Sequence, residues 1–360
     1  MNKKVKKALK IVLIALVAVL LVVIGYVSYV FLSYNRIEDK VELTATGTAT
    51  NNEAKLDTTY TIVTNNVGFG AYTADFTFFM DGGSESRAAS KESVEDCTDA
   101  AVEMAKSFSP DIILFQEVDT DSTRSYHVNQ SERMAEQLEG YDQLFAVNYH
   151  SAYLFYPVLE PHGKSNSGIA TFSNMTITSG LRRQLPVSTG FSKILDLDRC
   201  YSISRINVEN GKELVVFNTH LSAYGSSGDL KAEQLKMLFS DMKKEYDSGN
   251  YVICGGDFNA DFTGTSASEL NAEGYEERSW AQPLDDALIP EGIIKCTNYD
   301  NTETIATVRD CDVAYGPDNF VAIVDGFLVS DNIEVKHLEN VWAGFEYSDH
   351  NPVYMQFELK

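Results

Sequence analysis

The chain has 360 residues, of which 44% are apolar, 22% are charged and only 8 are proline. This composition excludes a disordered or collagen-like chain, because the apolar side chains are sufficient to form a core. The formal net charge is −23, and without the five lysines among the first ten residues the remaining 24 basic and 52 acidic residues give −28. Such an acidic body disfavours tight binding of polyanions. It does not exclude phosphodiesters as transient substrates, because a bound cation reverses the local field.

The N-terminal segment has the composition of a membrane anchor. Residues 11–32 carry no charge, and a helix of that length spans a hydrocarbon core of about 30 Å. A cleaved signal peptide and a buried core helix are the alternatives. The first usually has a shorter apolar region and a small-residue cleavage site, and the second is rarely preceded by five lysines. We therefore predict a cytoplasmic basic tail at 1–10, a single transmembrane helix at 11–32 and a protein body outside the cytoplasm, at the cell membrane.

The segments that follow predict a polar stalk and one large folded domain. Residues 33–58 are polar and rich in Thr and Asn, and are interpreted as a stalk or linker with room for one short strand. Residues 59–360 show no repeat and no linker. The predicted strands are 59–66, 111–116, 168–172, 200–207, 213–218, 251–255, 323–329 and 352–357, and the predicted helices are 87–108, 131–138 and 229–246. This mixed order favours an α/β domain in which mixed sheets are layered as a sandwich.

The five cysteines, Cys97, Cys200, Cys254, Cys296 and Cys311, match no zinc-binding spacing. Cys254 lies in the apolar run 251–255 and is interpreted as a packed core residue. Cys296 and Cys311 flank a predicted hairpin, so a disulfide between them in an oxidising compartment remains open.

Polar side chains recur directly after the predicted apolar strands, or directly before the last one. Any one of them alone is more often a helix cap, a turn residue or a packed histidine. Together they form a set of carboxylates, amides and imidazoles at positions where chains leave a sheet and catalytic groups are commonly presented. The set consists of Asn66, Glu117, His220, Asp257, Asn259, Asp325, Asp349 and His350.

The chemistry of this set suits hydrolysis of a phosphate ester. Carboxylate and amide oxygens are hard ligands that favour Mg²⁺, Mn²⁺ or Ca²⁺ over soft metals. Imidazoles beside carboxylates act as acids and bases near neutral pH. A hard cation that neutralises phosphoryl oxygens, combined with a base that activates water, is sufficient for that reaction.

Six motifs carry a resemblance to a known family. They are NNVGFG (65–70), FQEVD (115–119), NTHLS (218–222), GGDFNAD (255–261), VDGF (324–327) and SDHNPV (348–353). In this order they resemble the endonuclease/exonuclease/phosphatase superfamily, which includes DNase I-like nucleases, neutral sphingomyelinases and inositol-polyphosphate 5-phosphatases. The resemblance covers 59–360 and implies a DNase I-like four-layer α/β sandwich with the active site at one edge of two facing sheets.

The resemblance also implies a metal site. Glu117 is similar to the principal metal-binding glutamate of the family. Asn66 occupies the position of its partner asparagine, near metal and phosphate. Asp349 is similar to a further metal-binding or supporting carboxylate. The implied cofactor is Mg²⁺, with Mn²⁺ or Ca²⁺ as substitutes.

The remaining motif residues resemble the family's catalytic groups. His220 is similar to the histidine that stabilises the phosphate or protonates the leaving group. Asp257 is similar to the aspartate that orients or activates water, and Asn259 to the asparagine that binds the scissile phosphate. His350 is similar to the family's site histidine and Asp325 to the acid that orients it. The sequence leaves open whether Asp257 or His350 removes the water proton, and the pair His350–Asp325 is favoured because a carboxylate fixes one tautomer of the imidazole.

Three further residues are weaker candidates for substrate binding. Arg124 lies in the loop after Glu117, and Arg87 precedes the first helix of the domain; either could bind a phosphate oxygen. Asn166 lies in a segment that resembles one lining the family's site. His127 and His162 have no spacing typical of metal ligands and are interpreted as loop histidines.

The sequence thus predicts a membrane-tethered, divalent-metal-dependent phosphoester hydrolase, most simply a nuclease-like phosphodiesterase that acts outside the cytoplasm. One alternative is a sphingomyelinase or phospholipase C-like enzyme acting on lipid head groups. A second alternative is a non-catalytic surface protein that keeps the fold for binding. No obligate protein partner is inferred; the expected partners are the phosphodiester substrate and the membrane.

Overall fold

The structure is a computed structural model that describes residues 2–33, 35–187, 198–223, 228–276 and 278–360. The described helices are α1 (Lys3–Ser33), α2 (Lys91–Ser107), α3 (Gln130–Gln137), α4 (Gly228–Asp247) and α5 (Ser266–Leu270). The first eight strands are β1 (Val41–Leu43), β2 (Thr46–Gly47), β3 (Thr59–Asn66), β4 (Ile112–Asp119), β5 (Asp142–His150), β6 (Asn166–Ser173), β7 (Ile177–Gln184) and β8 (Cys200–Asn207). The others are β9 (Glu213–His220), β10 (Tyr251–Asp257), β11 (Ile293–Lys295), β12 (Val308–Arg309), β13 (Val321–Ala322), β14 (Asp325–Ser330), β15 (Ile333–Asn340) and β16 (Val353–Leu359).

Two seven-stranded mixed sheets pack face to face. The first has the strand order β1-β7-β8-β9-β10-β14-β11, and the second has β15-β16-β3-β4-β6-β5-β2. A core of buried side chains from both sheets lies between them, including Ile62, Leu114, Val216, Ile253 and Phe327. The strands read as continuous apolar runs because both of their faces are covered.

Helices cover the outer face of each sheet. Leu238, Phe239 and Met242 of α4 pack on the first sheet, and Val102 of α2 and Met134 of α3 pack on the second. Ser90 begins α2, since its side chain accepts a hydrogen bond from the backbone N–H of Ser93. The order helix, sheet, sheet, helix confirms the predicted four-layer α/β sandwich.

The segment predicted as a stalk contributes to both sheets. β1 pairs with β7, and β2 pairs with β5. Ala54 is fully buried in the core between the sheets. The folded part of the chain therefore begins before residue 59, at β1.

Helix α1 differs from the other helices because none of its residues is buried. Among the residues that the structure describes, it is the one helix long and apolar enough to cross a membrane, by length and composition. Its last turns contact the folded domain, where the Tyr26 hydroxyl donates to the backbone oxygen of Tyr153 at 3.1 Å. Arg36, just after the helix, pairs with Asp198 at 3.2 Å.

The cysteines are all buried and free. The disulfide considered for Cys296 and Cys311 is not formed in the structure, because the two residues belong to different clusters. Cys296 packs in the core between the sheets, whereas Cys311 packs among the phenylalanines of 69–79. Cys254 is a packed core residue, as predicted.

Candidate active site

Three of the predicted catalytic residues lie side by side at one edge of the first sheet. β10 is parallel to β9 and antiparallel to β14. Asp257, the last residue of β10, is in register with His220 at the end of β9 and with Asp325 at the start of β14. His220 and Asp325 are almost 40 and almost 70 positions from Asp257 in the sequence, yet the three residues lie on neighbouring strands.

The second sheet supplies Asn66 and Glu117 at the facing edge. Asn66 ends β3, where it is in register with Gln116 of β4. The pairing of β4 with β6 shifts between Phe115 and Val118, which is a β-bulge. Glu117 lies in the bulge with a positive φ of 56°, so its side chain departs from the strand alternation. A bulge commonly re-aims a side chain beside an active site.

Two buried amides join the sheets directly behind these residues. The Gln116 Nε2 donates to Asn218 Oδ1 at 2.8 Å, and the Asn218 Nδ2 donates to the backbone oxygen of Ala170 at 3.0 Å. Both side chains are fully buried. Paired amides at this depth fix the separation of the two sheet edges, because either amide alone would leave a polar group unsatisfied.

Asp349 packs against Gly68, which leaves space for its carboxylate because glycine has no side chain. Gly68 has a φ of +49°, and a Cβ there would lie 2.9 Å from Asp349 Oδ1 and 2.6 Å from the ring of Tyr72. The Ser348 hydroxyl donates to the backbone oxygen of Asn66 at 2.8 Å. The motifs NNVGFG and SDHNPV are therefore packed against each other, and the loop needs glycine both for its backbone conformation and for space.

His350 and Asp325 form a buried pair. The His350 Nδ1 is 2.7 Å from Asp325 Oδ2, and the His350 Nε2 is 3.8 Å from Asp257 Oδ2. Burial lowers the pKa of His350, but the carboxylates of Asp325 and Asp257 together raise it, and the resulting pKa is about 10. The imidazole is consequently positively charged near neutral pH in the metal-free protein.

Asp257 is held by amide donors. Its Oδ1 accepts from the backbone N–H of Asn259 at 2.8 Å, and its Oδ2 accepts from Asn66 Nδ2 at 3.1 Å and Asn259 Nδ2 at 3.2 Å. Burial raises the pKa of Asp257 to about 6, against the lowering effect of the charge on His350. At pH 7 this carboxylate is ionised and has the basicity of a useful proton acceptor.

The pKa of His220 is shifted in the opposite direction from that of His350. Its Nε2 lies 3.3 Å from Asp257 Oδ2 and 3.8 Å from Glu117 Oε1. Burial lowers its pKa well below the ordinary value, and the charge on His350 acts in the same direction. His220 is therefore neutral near pH 7, and its buried Nδ1 has no hydrogen-bond partner among the described residues.

These residues border one cleft of about 700 Å³. Six of the eight predicted site residues line it: Glu117, His220, Asp257, Asn259, Asp349 and His350. Asn66 and Asp325 lie behind them and hold Asp257 and His350 by hydrogen bonds. Asn66 donates its amide to Glu117 Oε1 at 3.3 Å, while its oxygen accepts from the N–H of Gly68. It thus bridges the carboxylates of Glu117 and Asp257 by hydrogen bonds, and its role as a metal ligand stays a prediction.

The three weaker candidates for substrate binding differ in whether they line the cleft. Arg124 lines the cleft, but its Nε and Nη2 bind the two oxygens of Asp119 at 3.0 and 2.8 Å. Arg87 donates to the backbone oxygen of Pro161 and does not line the cleft. Asn166 donates to Thr120 Oγ1 at 2.8 Å and does not line it either. Arg87 and Asn166 therefore serve to hold neighbouring loops in this conformation.

The two histidines interpreted as loop residues differ from each other. His127 is exposed and lies 2.6 Å from Asp121. His162 is in a loop, but it is buried and lines the cleft, with Nδ1 2.9 Å from the backbone oxygen of Ser86. Burial lowers its pKa to about 4. Its placement was not predicted, because a single histidine in a loop carries no spacing signal.

Several cleft residues escaped the sequence analysis, notably Asn148, Ser167 and Arg199. Asn148 is the extra residue of a second bulge, where the pairing of β5 with β6 shifts between Val147 and Tyr149. Ser167, beside the predicted Asn166, has a buried hydroxyl without a hydrogen-bond partner. Adjacent residues on a strand face opposite sides, so choosing 166 over 167 selects the wrong face.

Among the described residues that border or support the cleft, two groups of side chains could hold a metal ion. Asp257, Asp325 and His350 have ligand atoms that all lie within 4.8 Å of one another, but they already bind each other and the neighbouring asparagines. Glu117 and Asp349 both line the cleft. Burial raises the pKa of Asp349, and the negative charge of Glu117 adds to the effect. That repulsion is the kind that a bound divalent cation relieves.

Comparison with known proteins gives the same assignment. Residues 66–350 match the profile of the Endonuclease/Exonuclease/phosphatase family. The match spans most of the chain, so the protein belongs to this family, as the motifs predict. The members of this family are nucleases and other phosphoester hydrolases. A comparison with curated proteins found no match.

Solved structures show the same fold. An endonuclease/exonuclease/phosphatase from Beutenbergia cavernae is 20% identical with a TM-score of 0.55, over 84% of this chain and 72% of that one. ANGEL2, a 2',3'-cyclic phosphatase in complex with adenosine-2',3'-vanadate, is 16% identical with a TM-score of 0.55, over 89% and 99%. Danio rerio TDP2 with a single-strand DNA product is 14% identical with a TM-score of 0.52, over 84% and 100%. At these identities the likeness concerns the fold alone.

Proposed function

We propose that this protein is a divalent-metal-dependent phosphodiesterase, tethered to the cell membrane by α1 with its catalytic domain outside the cytoplasm. The observation that carries the proposal is the convergence of the motif residues on one cleft. Glu117, Asp257 and His350 come from two sheets and a loop, yet all three border the same cavity. A protein that kept the fold for binding alone would not need a complete set of ionisable groups there.

The metal belongs at Glu117 and Asp349. Their oxygens are hard donors suited to Mg²⁺ or Mn²⁺, and Asn66 holds Glu117 in place by a hydrogen bond. When bound there, the ion would neutralise the charge on the phosphate oxygens. The cluster of Asp257, Asp325 and His350 is less suitable, because the hydrogen bond from His350 to Asp325 occupies ligand atoms of both residues.

Asp257 is the proposed proton acceptor. The water oxygen forms a bond to phosphorus, its proton passes to the Asp257 carboxylate, and one P–O ester bond breaks. His350, charged and held by Asp325, donates a proton to the departing oxygen, or a hydrogen bond to the phosphate. This assignment reverses the preference of the sequence analysis for His350 as the base, because the three surrounding carboxylates favour its protonated form.

The substrate class is a phosphodiester, for which nucleic acid and a lipid head group are the two sources. Nucleic acid agrees with Danio rerio TDP2, whose structure contains a DNA product. A lipid head group is favoured by a specific feature of this chain: the lining of the cleft includes Tyr26 of α1 and the exposed side chains of Phe155 and Tyr156. Apolar and aromatic side chains at a cleft mouth suit a lipid surface better than a polyanion.

A soluble substrate tests the activity independently of its natural source. The full chain, purified in detergent, is assayed on bis-p-nitrophenyl phosphate with Mg²⁺ or Mn²⁺, beside Glu117→Gln, Asp257→Asn and His350→Gln. We expect each variant to lose at least about a hundredfold in kcat/KM, since each removes a charge or a proton-transfer group. Asp121→Asn is the control, because Asp121 is exposed and outside the cleft. Equal rates for all four variants and the unmodified protein would refute the proposal.

A further inference from the structure

The loop between β5 and β6 presents an unusual run of exposed apolar side chains. Phe155, Tyr156, Val158 and Leu159, which we call the apolar rim, are 57%, 67%, 79% and 100% exposed. The segment 151–161 carries one charge, that of Glu160. Four large apolar side chains exposed within five residues are costly in water and mark an interaction surface.

The apolar rim lies against the C-terminal end of α1. The rings of Tyr26 and Phe155 make an edge contact with centroids 5.2 Å apart. Tyr26 is 16 residues after Lys10, a rise of about 24 Å along a helix. With Lys10 at the inner boundary of a hydrocarbon core about 30 Å thick, Tyr26 falls near the outer boundary, where tyrosines concentrate. The rim is thus at the height of the outer bilayer surface.

The part of this loop next to α1 has paired backbone groups. The Tyr153 oxygen accepts from the Tyr26 hydroxyl, and the Tyr153 N–H donates to the Tyr29 hydroxyl at 3.1 Å. Leu154 and Gly163 exchange both of their backbone hydrogen bonds at 3.0 Å. Polar backbone groups must be paired in this way when a segment enters a lipid interface.

The apolar rim is also continuous with the catalytic cleft. Tyr26, Phe155 and Tyr156 line the same cavity as Asp257 and His350. A molecule that entered the cleft beside these aromatic side chains would therefore share one cavity with the proposed catalytic groups. The exposed part of the lining, at Phe155 and Tyr156, is aromatic, whereas the buried part includes the polar groups of Asp257 and His350, and this contrast matches the two ends of a lipid.

We propose that the apolar rim inserts into the outer face of the membrane that α1 crosses, so that the cleft opens onto the bilayer and receives the phosphodiester head group of a lipid. The reaction is the hydrolysis proposed above: water adds to phosphorus, one P–O ester bond breaks, and an alcohol and a phosphomonoester leave. The inference rests on the proposed function and specifies its substrate. Because the segment 151–161 has no basic residue, a zwitterionic surface such as phosphatidylcholine suits it better than an anionic one.

A fluorescent probe tests the insertion without reference to activity. The full chain is reconstituted in phosphatidylcholine nanodiscs as Leu159→Cys, labelled with an environment-sensitive nitrobenzoxadiazole dye. The five native cysteines are buried, so the introduced thiol reacts selectively. Ile294→Cys, at an apolar position that is 50% exposed and outside the cleft, is the matched control. We expect a blue shift and quenching by doxyl-labelled lipid at 159 and neither at 294; water-like emission at both positions overturns the insertion.

A substrate comparison tests the second half of the proposal. The reconstituted full chain and Val158→Glu/Leu159→Glu are assayed on phosphatidylcholine and sphingomyelin, on plasmid DNA, and on bis-p-nitrophenyl phosphate. We expect the double variant to lose about tenfold or more on lipid, because charged side chains enter a bilayer poorly, and to stay within about twofold on the soluble diester. Neither residue lines the cleft. Ile294→Glu, the matched control, keeps both activities.

The outcomes separate the two proposals. Hydrolysis of the soluble diester and of DNA, without hydrolysis of either lipid, overturns the lipid assignment and leaves the phosphodiesterase standing as a nuclease. Equal loss on lipid and on the soluble diester in the double variant shows a folding defect of the loop, and contradicts a role confined to the membrane surface. No hydrolysis of any substrate overturns the proposed function itself.

Discussion

Replacing Asp325 by asparagine tests the electrostatic basis of the proposed mechanism. Asparagine has nearly the same shape and its oxygen can still accept from His350 Nδ1, so the geometry of the pair is kept. The charge, however, is removed from a position 2.7 Å from the imidazole. Asp325 is fully buried, so water screens the interaction little.

The size of the effect follows from Coulomb's law. Two unit charges about 4 Å apart interact by about 4 kcal/mol at an effective dielectric constant of about 20. One pKa unit corresponds to about 1.4 kcal/mol, so removing the charge lowers the pKa of His350 by about 3 units. The pKa of His350 is about 10 in the unmodified protein, and we expect it near 7 in Asp325→Asn.

Nuclear magnetic resonance of the metal-free protein with ¹³C-labelled histidine measures this directly. The chain has six histidines, and the resonance of His350 is assigned by its loss in His350→Gln. In the unmodified protein His350 stays protonated up to pH 9, whereas in Asp325→Asn it titrates near pH 7. Asp121→Asn, an exposed carboxylate beside another histidine, leaves the His350 titration unchanged. A His350 titration in Asp325→Asn within half a unit of the unmodified protein would refute the reasoning.

Three other substitutions test separate parts of the structure. His162 has a folded-state pKa of about 4 against an ordinary 6.5, so its contribution to stability is present above pH 6.5 and is lost as the pH falls toward 4. Between pH 7 and about pH 5, the free energy of unfolding of the unmodified protein should fall by about 2 kcal/mol relative to that of His162→Gln, as measured by urea unfolding. Parallel pH profiles of the two proteins would contradict this. Gly68→Ala should abolish Mn²⁺ binding, because the new Cβ lies 2.9 Å from a carboxylate oxygen. Gly140→Ala, also at a positive φ but with nothing within 4 Å, should bind Mn²⁺ normally in the same calorimetric titration. Gln116→Leu leaves the buried Oδ1 of Asn218 without the donor Gln116 Nε2 and should lower the free energy of unfolding by about 1–3 kcal/mol; an unchanged value in urea titration would contradict the account of the inter-sheet amides.

The fold could be predicted where strands are buried on both faces, because those strands read as apolar runs. β3, β4, β9 and β10 lie in the middle of their sheets; β3, β9 and β10 were found within two residues of their observed ends, and β4 within three. β7 and β15 were not predicted. β15 is an edge strand whose side chains roughly alternate between more and less buried positions, and in β7 only Ile177 and Arg182 are buried, so neither strand is an apolar run. Their positions depend on pairing with distant strands, which a single sequence does not display.

The site could be predicted wherever a motif ends a strand, since the same local pattern sets both the residue and its position. His220 and Asp257 are of this kind. Asn148 and His162 are not, because one depends on a bulge in a strand that was missed and the other on a loop folded back over the cleft. The apolar residues of the rim can be read in the sequence, but only the contact with Tyr26 in the structure shows that the rim lies beside α1.

The central claim is that Glu117 and Asp349 hold a divalent ion beside the Asp257 and His350 groups. Anomalous diffraction from crystals soaked in Mn²⁺ tests it most directly, because the ion is located without any assay. The account predicts a peak that contacts the carboxylates of Glu117 and Asp349 and disappears in Glu117→Gln. A peak located instead among Asp257, Asp325 and His350, or unchanged in that variant, would contradict it.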